Sequence, residues 1–253
     1  MSAYGTYMLT RREVARYMNV WGQTLVPPVV TAALFLFIFG TALGDRIGGF
    51  DGVPYLSYIL PGLVIQGAIT NAYANNGTSV FDARRAGYIE DVLTSPLKDW
   101  QVVLAYTLSG TTRGVMVGLL TMLVALPASD HWAISWPLMI VVLVAASAIF
   151  ALLGMTAGLH ASRWDHVFVP QTFFLMPLTF LGGVFYPVDA LSPGLEAASR
   201  FNPVLYIVDA QRASLLGVHS LPLAPSVLGL LLGLVLLYAY VLRLFSTSPK
   251  LRG

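Results

Sequence analysis

Residues 81–100 read FDARRAGYIEDVLTSPLKDW. This stretch is far more polar than the sequence on either side of it, and seven of its side chains ionise: Asp82, Arg84, Arg85, Glu90, Asp91, Lys98 and Asp99. An ionised side chain at the centre of a bilayer costs roughly 3 kcal/mol, so burying all of them would cost about 20 kcal/mol. Because the flanking sequence is apolar enough to lie in lipid, the stretch is predicted to be a water-exposed connection between two membrane spans.

The same stretch carries a helical pattern. Its apolar residues Ile89, Val92 and Leu93 fall on one face of a helix and the charged residues fall on the others. Pro96 is expected to end this helix near Ser95. A short amphipathic helix held between two spans offers a soluble partner a surface through which it can exert force on those spans. An ordinary solvated loop helix is the alternative that the pattern leaves open.

The composition places the whole chain in the integral membrane class. Of its 253 residues, 57% are hydrophobic and only 10% are charged, and the mean hydropathy is +0.73. Soluble domains carry about 25% charged residues. The net charge of +2 is too small to indicate a nucleic-acid partner. The absence of Cys excludes disulfides, thiolate nucleophiles and Cys-ligated metals.

Six charge-poor segments are long enough to cross a membrane as helices, which predicts an all-α fold with six transmembrane helices. They are residues 25–43, 56–79, 100–126, 136–159, 167–185 and 221–245. The first has nineteen residues. At about 1.5 Å per residue a helix of this length reaches about 28 Å, close to the hydrocarbon thickness of about 30 Å.

Two further segments are predicted to be helical without spanning. Residues 1–24 have apolar side chains at helical spacing, which indicates an amphipathic helix on the membrane surface with its arginines among the headgroups. A solvated N-terminal helix is the alternative. Residues 186–220 are broken by prolines into short, half-apolar pieces, which suit a hairpin that dips into the outer leaflet. A loose external loop is the alternative there.

Lys and Arg are unequally distributed between the two sides of a six-span arrangement. Ten lie on the side of both termini and of residues 81–99: Arg11, Arg12, Arg16, Arg84, Arg85, Lys98, Arg163, Arg243, Lys250 and Arg252. Three lie on the other side: Arg46, Arg200 and Arg212. Because basic loops stay inside, both termini and the polar stretch are predicted to be cytoplasmic.

A few polar residues interrupt the spans. Arg113 lies mid-span among three glycines at four-residue spacing, where it could pair with a carbonyl or carboxylate of a close helix or line a water-filled path. Asn71 and Asn75 share one helix face and could line a path, a subunit contact or a neighbouring span. Small residues that permit close helix packing recur as Gly110, Gly114 and Gly118, as Gly154 and Gly158, and as Gly229 and Gly233.

The sequence argues against several kinds of activity. A P-loop needs Gly-Lys followed by Ser or Thr, and neither Lys98 nor Lys250 follows Gly, so any energy must come from another chain or an ion gradient. Carboxylates deep in the spans are missing, which counts against an ion-coupled carrier working alone. No cluster of buried acids, Cys or paired His indicates an intramembrane enzyme, and the four His have no metal-ligand spacing.

Four segments together resemble the permease subunit of ABC-2-type transporters. They are VWGQTLVPPVV at 20–30, LPGLVIQGAITNAYAN at 60–75, YIEDVLTSPL at 88–97 and FLGGVFYPVDALSPGLEAASRFNPVLYIVDAQRASLLG at 180–217. The last is the most specific, since it is similar to the family's fifth span and the extracellular re-entrant helices that follow it. The resemblance covers nearly the whole chain and is strongest to the small branch of YadH-type, nodulation-factor and drug-export permeases.

This resemblance implies a partnership. The family fold has six spans, an N-terminal interface helix, a cytoplasmic coupling helix between spans two and three, and re-entrant helices after span five. It works as a homodimer in the bilayer of a bacterial inner membrane, with two copies of a separate ATPase subunit. ATP and Mg²⁺ belong to that partner, so no cofactor or metal is expected on this chain, nor any enzymatic activity of its own.

The resemblance also implies roles for particular residues. The coupling helix that enters a groove of the ATPase would be formed by Tyr88, Ile89, Glu90, Asp91, Val92, Leu93, Ser95 and Pro96. The interface helix would present Arg11, Arg12, Arg16 and Tyr17. Spans one, two and five would line the substrate path, with Phe185 and Tyr186 where the family places an apolar outer gate. Asn71, Asn75 and Arg113 are further path candidates.

The function implied is export of a hydrophobic or amphipathic cargo, drug-like or lipid-linked. Export of a glycan or lipo-oligosaccharide is the alternative, and an ATP-independent carrier is a weaker one. The chain lacks the large soluble or carbohydrate-binding inserts of some family members, which counts against a large polysaccharide cargo.

Overall fold

The computed structural model describes residues 2–47, 49–50 and 52–247. Twelve α-helices are described: α1 Ser2–Met18, α2 Trp21–Thr24, α3 Val26–Ile47, α4 Tyr55–Arg85, α5 Ile89–Leu93, α6 Asp99–Ala125, α7 Trp136–His160, α8 Asp165–Pro170, α9 Met176–Leu181, α10 Pro193–Arg200, α11 Pro203–Leu216 and α12 Leu223–Thr247. Two short antiparallel strands, β1 Gly49–Phe50 and β2 Val53–Pro54, form a hairpin between α3 and α4. Lys250 and Arg252, which the sequence analysis placed in a cytoplasmic tail, lie outside the described residues.

Four of the described helices are long and apolar enough to cross a membrane: Trp21–Phe39, Asp99–Ala128, Trp136–His160 and Leu223–Thr247. They coincide with the predicted spans one, three, four and six, which confirms a predominantly helical membrane protein. The predicted second span is the 31-residue helix α4, whose polar side chains lower its hydropathy. The predicted fifth span is divided, because a π-helical turn at Gln171–Leu175 separates α8 from α9. The count of six spans therefore stays a prediction.

Helix α4 lies at the centre of the bundle and packs closely against α6 and α7. A Cβ atom added to Gly114 of α6 would lie 2.8 Å from the carbonyl oxygen of Ala68 on α4. A Cβ added to Gly158 of α7 would lie 2.7 Å from the carbonyl of Gly77 on α4. The glycine spacing of α6 and α7 thus serves close backbone packing, as predicted.

Helix α12 does not use its glycines in this way. Apart from the neighbouring backbone of α12 itself, no atom of the described chain lies within 4 Å of the Cβ position of Gly229 or Gly233. Within the described part of the chain, no helix therefore packs closely against this pair, although close packing had been predicted for it. Most of the α12 surface is exposed and apolar, as expected for a helix on the outside of a membrane bundle.

The polar stretch is divided among three helices, since its last two residues begin α6. Helix α4 continues to Arg85, so the first five residues of the stretch are its end. Helix α5 then covers only Ile89–Leu93 and ends at Leu93, before the predicted end near Ser95. Pro96 restricts the backbone of the residue before it, which explains why the helix does not continue to Ser95.

Helix α11 is an interior helix. Twelve of its fourteen residues are buried, including Asp209 and Arg212, each 3% exposed. Their ion pair, with 3.7 Å between Arg212 Nη1 and Asp209 Oδ1, offsets part of the cost of burying two charges. A buried helix of this kind is not the loose external loop considered as the alternative, and the re-entrant position of residues 186–220 relative to the membrane stays a prediction.

Candidate functional site

Helix α5 presents one apolar and one charged face, as the sequence predicts. Ile89 and Val92 are buried in a cluster with side chains of α1, α4 and α6, whereas Glu90 and Asp91 are exposed. Leu93 packs at the edge of this cluster. The two carboxylates are therefore held outward on a helix that is anchored on three neighbours. Of the remaining predicted coupling residues, Tyr88 and Ser95 are half-buried and Pro96 is exposed.

Tyr88 joins α5 to α1. The Arg12 guanidinium lies 5.2 Å above the Tyr88 ring, a cation–π distance. Burial raises the pKa of the Tyr88 phenol, and the negative charges of Asp82 and Glu13 raise it further. The Tyr88 ring therefore stays neutral at physiological pH and offers Arg12 its face.

Helix α1 runs alongside α6. Near one end, Gln101 Nε2 donates to Thr6 Oγ1 at 3.3 Å, and near the other the Tyr17 and Thr112 hydroxyls lie 3.2 Å apart. From the first contact to the second, the chain advances by the same number of residues in α1 as in α6. The two helices therefore run in the same direction. The sequence led us to expect a helix lying across the membrane surface. The structure differs because polar side chains of α1 find partners on α4 and α6.

The centre of these contacts is Glu13, which is 1% exposed. Arg16 Nε donates to Glu13 Oε2 at 3.1 Å, and the Ser79 hydroxyl of α4 donates to the same oxygen. Arg12 Nη2 lies 3.5 Å from Glu13 Oε1. We call Glu13, Arg16, Asn75, Ser79 and Ser109 the α1 seam. Glu13 is thus a buried carboxylate, although it lies on α1 and not in one of the predicted spans.

Glu13 was not among the residues predicted to be functional. A signal was present, because Glu13 stands three positions before Arg16 on one helix, a spacing at which opposite charges meet. What the sequence could not show is that Ser79, 66 residues away, supplies the hydroxyl that buries the carboxylate. Exposed Arg11, by contrast, lies on the outer face of α1.

Asn75 belongs to the α1 seam. It is 0% exposed, its Oδ1 accepts from Arg16 Nη2 at 3.0 Å, and its Nδ2 donates to Ser109 Oγ at 3.2 Å. The amide thus joins α1, α4 and α6. Its burial supports a structural role within the chain, and its assignment to a path stays a prediction.

Arg113 lies one helical turn further along α6 from Ser109. Its Nη2 donates to Asn71 Oδ1 on α4 at 3.2 Å, and its guanidinium lies 6.0 Å from the Tyr17 ring of α1. Arg113 therefore pairs with a side-chain amide, where we had considered a carbonyl or a carboxylate. Its Nε is buried and forms no hydrogen bond within the described chain.

A cavity of about 280 Å³ lies between α3, α4, α6 and α9. Asn71 lines it, together with the uncharged polar side chains of Gln66, Thr70 and Thr121. Pro, Ala, Leu, Phe and Met side chains form much of the remaining wall. Neither Asn75 nor Arg113 is part of this lining. The cavity can accommodate an apolar group and also offer it amide and hydroxyl hydrogen bonds.

An aromatic cluster lies beside the middle of α3. The Phe185 ring lies 5.6 Å from Phe35, 5.8 Å from Phe39 and 5.3 Å from Phe180, measured between ring centroids. Phe185 is therefore at its centre, and the cluster could close a path between α3 and α9. Tyr186 lies apart, beside a small cavity of about 60 Å³.

The turn that carries Phe185 is fixed by Arg212. Arg212 Nη2 donates to the carbonyl of Gly183 at 2.8 Å, and its guanidinium lies 3.8 Å above the Tyr58 ring of α4. Gly183 has a φ of +71°, a conformation that favours glycine. Asp209 in turn accepts hydrogen bonds from the backbone N–H groups of Ser220 and Leu221, shortly before α12. The buried ion pair thus connects α4, α11, this turn and the start of α12.

Among the described residues, no group of three or more His, Cys, Asp or Glu side chains could hold a metal ion. What the structure contains is a helical membrane bundle with an anchored polar helix at one end, a cavity between its helices and an aromatic cluster beside α3. These features are those of a helical membrane protein with a cavity between its helices.

The chain belongs to the ABC-2 type transporter family, whose profile matches residues 4–216. It is 37% identical over 242 residues to the inner membrane transport permease YadH of Escherichia coli K12, covering 96% of this chain and 93% of that protein. It is 27% identical over 210 residues to nodulation protein J of Rhizobium leguminosarum bv. viciae, covering 82% and 80%. Nodulation protein J of Sinorhizobium fredii NGR234 is 29% identical over 185 residues, covering 72% and 70%. The resemblance inferred from sequence is confirmed.

Proposed function

We propose that this chain is the membrane permease of an ATP-driven exporter in a bacterial inner membrane. Its six spans are α3, α4, α6, α7, the segment from α8 to α9, and α12. Both termini, α5 and the loop between α7 and α8 face the cytoplasm, where the basic residues concentrate. Helices α10 and α11 then belong to the re-entrant segment on the outer side. The inner-membrane location is supported by the similarity to YadH.

Energy enters through α5. Two copies of a separate ATPase, which carry the ATP and Mg²⁺, bind two copies of this chain. The observation that supports this most is the pair of exposed carboxylates, Glu90 and Asp91, on a helix whose other face is anchored by Ile89 and Val92. When the bound ATPase moves, a helix fixed in this way is displaced together with its neighbouring helices instead of bending away from them.

The contacts offer a route from α5 to the interior. Helix α5 adjoins α1 through Tyr88 and Arg12, and α1 is joined to α4 by Glu13, Arg16 and Asn75. Helix α4 also carries the amide that lines the cavity between α3, α4, α6 and α9. A displacement of α5 would therefore move α1 and α4 together and change this cavity.

The cargo is hydrophobic or amphipathic. The cavity has apolar walls and uncharged polar groups, and the aromatic cluster around Phe185 would form the outer gate. Gln66, Thr70, Asn71 and Thr121 also favour a second candidate, export of a glycan or lipo-oligosaccharide, because amides and hydroxyls bind sugar hydroxyls. Efflux of a lipophilic dye and of a lipid-linked oligosaccharide from vesicles distinguishes the two.

The proposed coupling is tested by reversing the two exposed charges. The double variant E90K/D91K should lose co-purification of the ATPase while its abundance in the membrane and its elution profile stay unchanged. Asp130 is an exposed carboxylate in the turn between α6 and α7, on the proposed outer side, so D130K is the matched control and should retain the ATPase. Normal ATPase binding by E90K/D91K would contradict the proposal, as would transport by the purified chain without ATP.

A further inference from the structure

The cavity between α3, α4, α6 and α9 has a buried hydroxyl in its wall that forms no hydrogen bond. Thr121 of α6 is 1% exposed and lines this cavity, and its Oγ1 has no hydrogen-bond partner within the described part of the chain. A buried hydroxyl without a partner is unfavourable, because it has given up its hydrogen bonds to water. A molecule in the cavity that bonds to Thr121 would remove this cost.

Two other threonines of α6 show how such a hydroxyl is usually satisfied in a helix. Thr107 Oγ1 donates to the carbonyl of Val103 at 2.7 Å, and Thr111 Oγ1 donates to the carbonyl of Thr107 at 2.8 Å. In both cases the acceptor lies one helical turn earlier, as is common for threonine. Thr121 forms no such bond, so its hydroxyl is available to a ligand.

Gly67 of α4 leaves room in front of this hydroxyl. Thr121 Oγ1 lies 3.4 Å from the position that a Cβ atom on Gly67 would occupy. Because Gly67 has no side chain, the space beside the hydroxyl stays open, and both residues line the cavity. The half-buried Gln66 and Thr70 line the same cavity from α4. A ligand bound to Thr121 would therefore find further amide and hydroxyl groups in the cavity.

The lining favours an uncharged ligand. None of the described residues that line the cavity is ionisable, and Ala32, Phe35 and Leu63 contribute apolar surface. An ionised group placed there would lose its hydration without gaining a counter-charge, which is strongly unfavourable. A hydroxyl or a carboxamide loses less and can form a hydrogen bond with the Thr121 hydroxyl, which both donates and accepts.

We propose that Thr121 is a specificity-determining residue of the exporter, whose hydroxyl binds an uncharged polar group of the cargo while the apolar walls bind the adjoining hydrocarbon. The cargo class is then a neutral amphiphile with a hydroxyl or carboxamide, and neither a pure hydrocarbon nor an ion. This inference rests on the proposed function, because it assigns the bound molecule to the cargo. Thr121 was not among the residues predicted for the substrate path.

Photolabelling with two matched probes tests the binding without ATP. One probe is a twelve-carbon alcohol with a diazirine in its chain, and the other is the hydrocarbon of the same length with the same diazirine and no hydroxyl. Membranes of the native host that contain the full chain are irradiated with each probe below saturation. Mass spectrometry then gives the ratio of alcohol label to hydrocarbon label on the peptides of α4 and α6.

Three variants show whether this ratio depends on Thr121. T121V replaces the hydroxyl by a methyl group and should lower the ratio about two- to tenfold relative to the wild type, as expected for the loss of one hydrogen bond. Differences in how the two probes partition into lipid cancel in this comparison. T121S keeps the hydroxyl and should keep the wild-type ratio.

The matched control is S147A. Ser147 of α7 is 0% exposed and its hydroxyl also lacks a partner within the described chain, but Ser147 does not line the cavity. S147A should therefore keep the wild-type ratio. Immunoblots confirm that all variants are present in equal amounts.

The outcomes separate this proposal from the proposed function. An unchanged ratio in T121V would overturn the role of Thr121 and leave its hydroxyl to a buried water, whether or not the exporter works. An equal fall in S147A would also overturn it, since the effect would not belong to the cavity. If the ratios are as expected but vesicles that contain both chains show no ATP-dependent efflux of the alcohol probe, the assignment of this ligand to the cargo is overturned.

Discussion

Replacing Glu13 by alanine should loosen α1 from the bundle. The carboxylate accepts hydrogen bonds from Ser79 and Arg16 and lies 3.5 Å from Arg12. Removing one partner of a fully buried ion pair costs about 3–5 kcal/mol. The loss here should be smaller, about 2–3 kcal/mol, because the Arg16 side chain is 32% exposed to solvent and keeps its bond to Asn75.

This loss is measurable as a change in thermal stability. For a chain of this size, about 2–3 kcal/mol corresponds to a fall in Tm of roughly 4–12 °C. Purified variants in one detergent can be heated and the folded fraction followed by size-exclusion chromatography. E13Q retains an oxygen for Ser79 but loses the charge that faces Arg16, so its Tm should fall between those of the wild type and E13A.

The matched control is E196Q. Glu196 also pairs with an arginine on its own helix, Arg200, but that pair is exposed. Exposed ion pairs contribute little to the free energy of unfolding, so E196Q should have the same Tm as the wild type. If E13A and E196Q had the same Tm, the α1 seam would not be what anchors α1. In coupled vesicles, E13A should also retain ATPase binding yet transport less cargo per ATP.

Three further substitutions test other parts of the structure. G114L should abolish accumulation of the protein in membranes, because its Cβ would approach the Ala68 carbonyl of α4, whereas G229L has open space and should accumulate normally; equal levels on immunoblots would contradict the packing. F185A should open the aromatic cluster and raise ATP-independent dye leakage from vesicles, and unchanged leakage would argue against a gate. R212Q leaves Asp209 buried without its cation and should lower stability by about 3–5 kcal/mol; an unchanged Tm would show that the ion pair is dispensable.

Much of the fold follows from local patterns. The burial of Ile89 and Val92 and the exposure of Glu90 and Asp91 were predictable from helical periodicity alone. Close packing at Gly114 was likewise predictable, since small residues at four-residue spacing permit backbone approach. Charge-poor segments of about twenty residues predicted the apolar helices, because the hydropathy and the length of a segment can be read from its own residues.

The remainder depends on residues that are distant in sequence. Glu13 is buried only because Ser79 meets it, and the Arg212 side chain is satisfied by the Gly183 carbonyl and the Tyr58 ring. The half-apolar composition of α11 did not show how deeply it is buried, because its burial depends on partners on other elements. The contacts of Arg84 with the end of α7 have no sequence signal either, since they join residues that lie 74 to 77 positions apart.

The position of α5 relative to the membrane and the ATPase can be measured directly, because the chain contains no cysteine. Asp91→Cys creates a single labelling site on the exposed face of α5 for a membrane-impermeant maleimide. With α5 in the cytoplasm and in contact with the ATPase, D91C should not be labelled in intact cells, should be labelled in inside-out vesicles stripped of peripheral proteins, and should be protected when the ATPase is bound. Labelling of D91C from outside intact cells, or labelling that bound ATPase leaves unchanged, would contradict this arrangement.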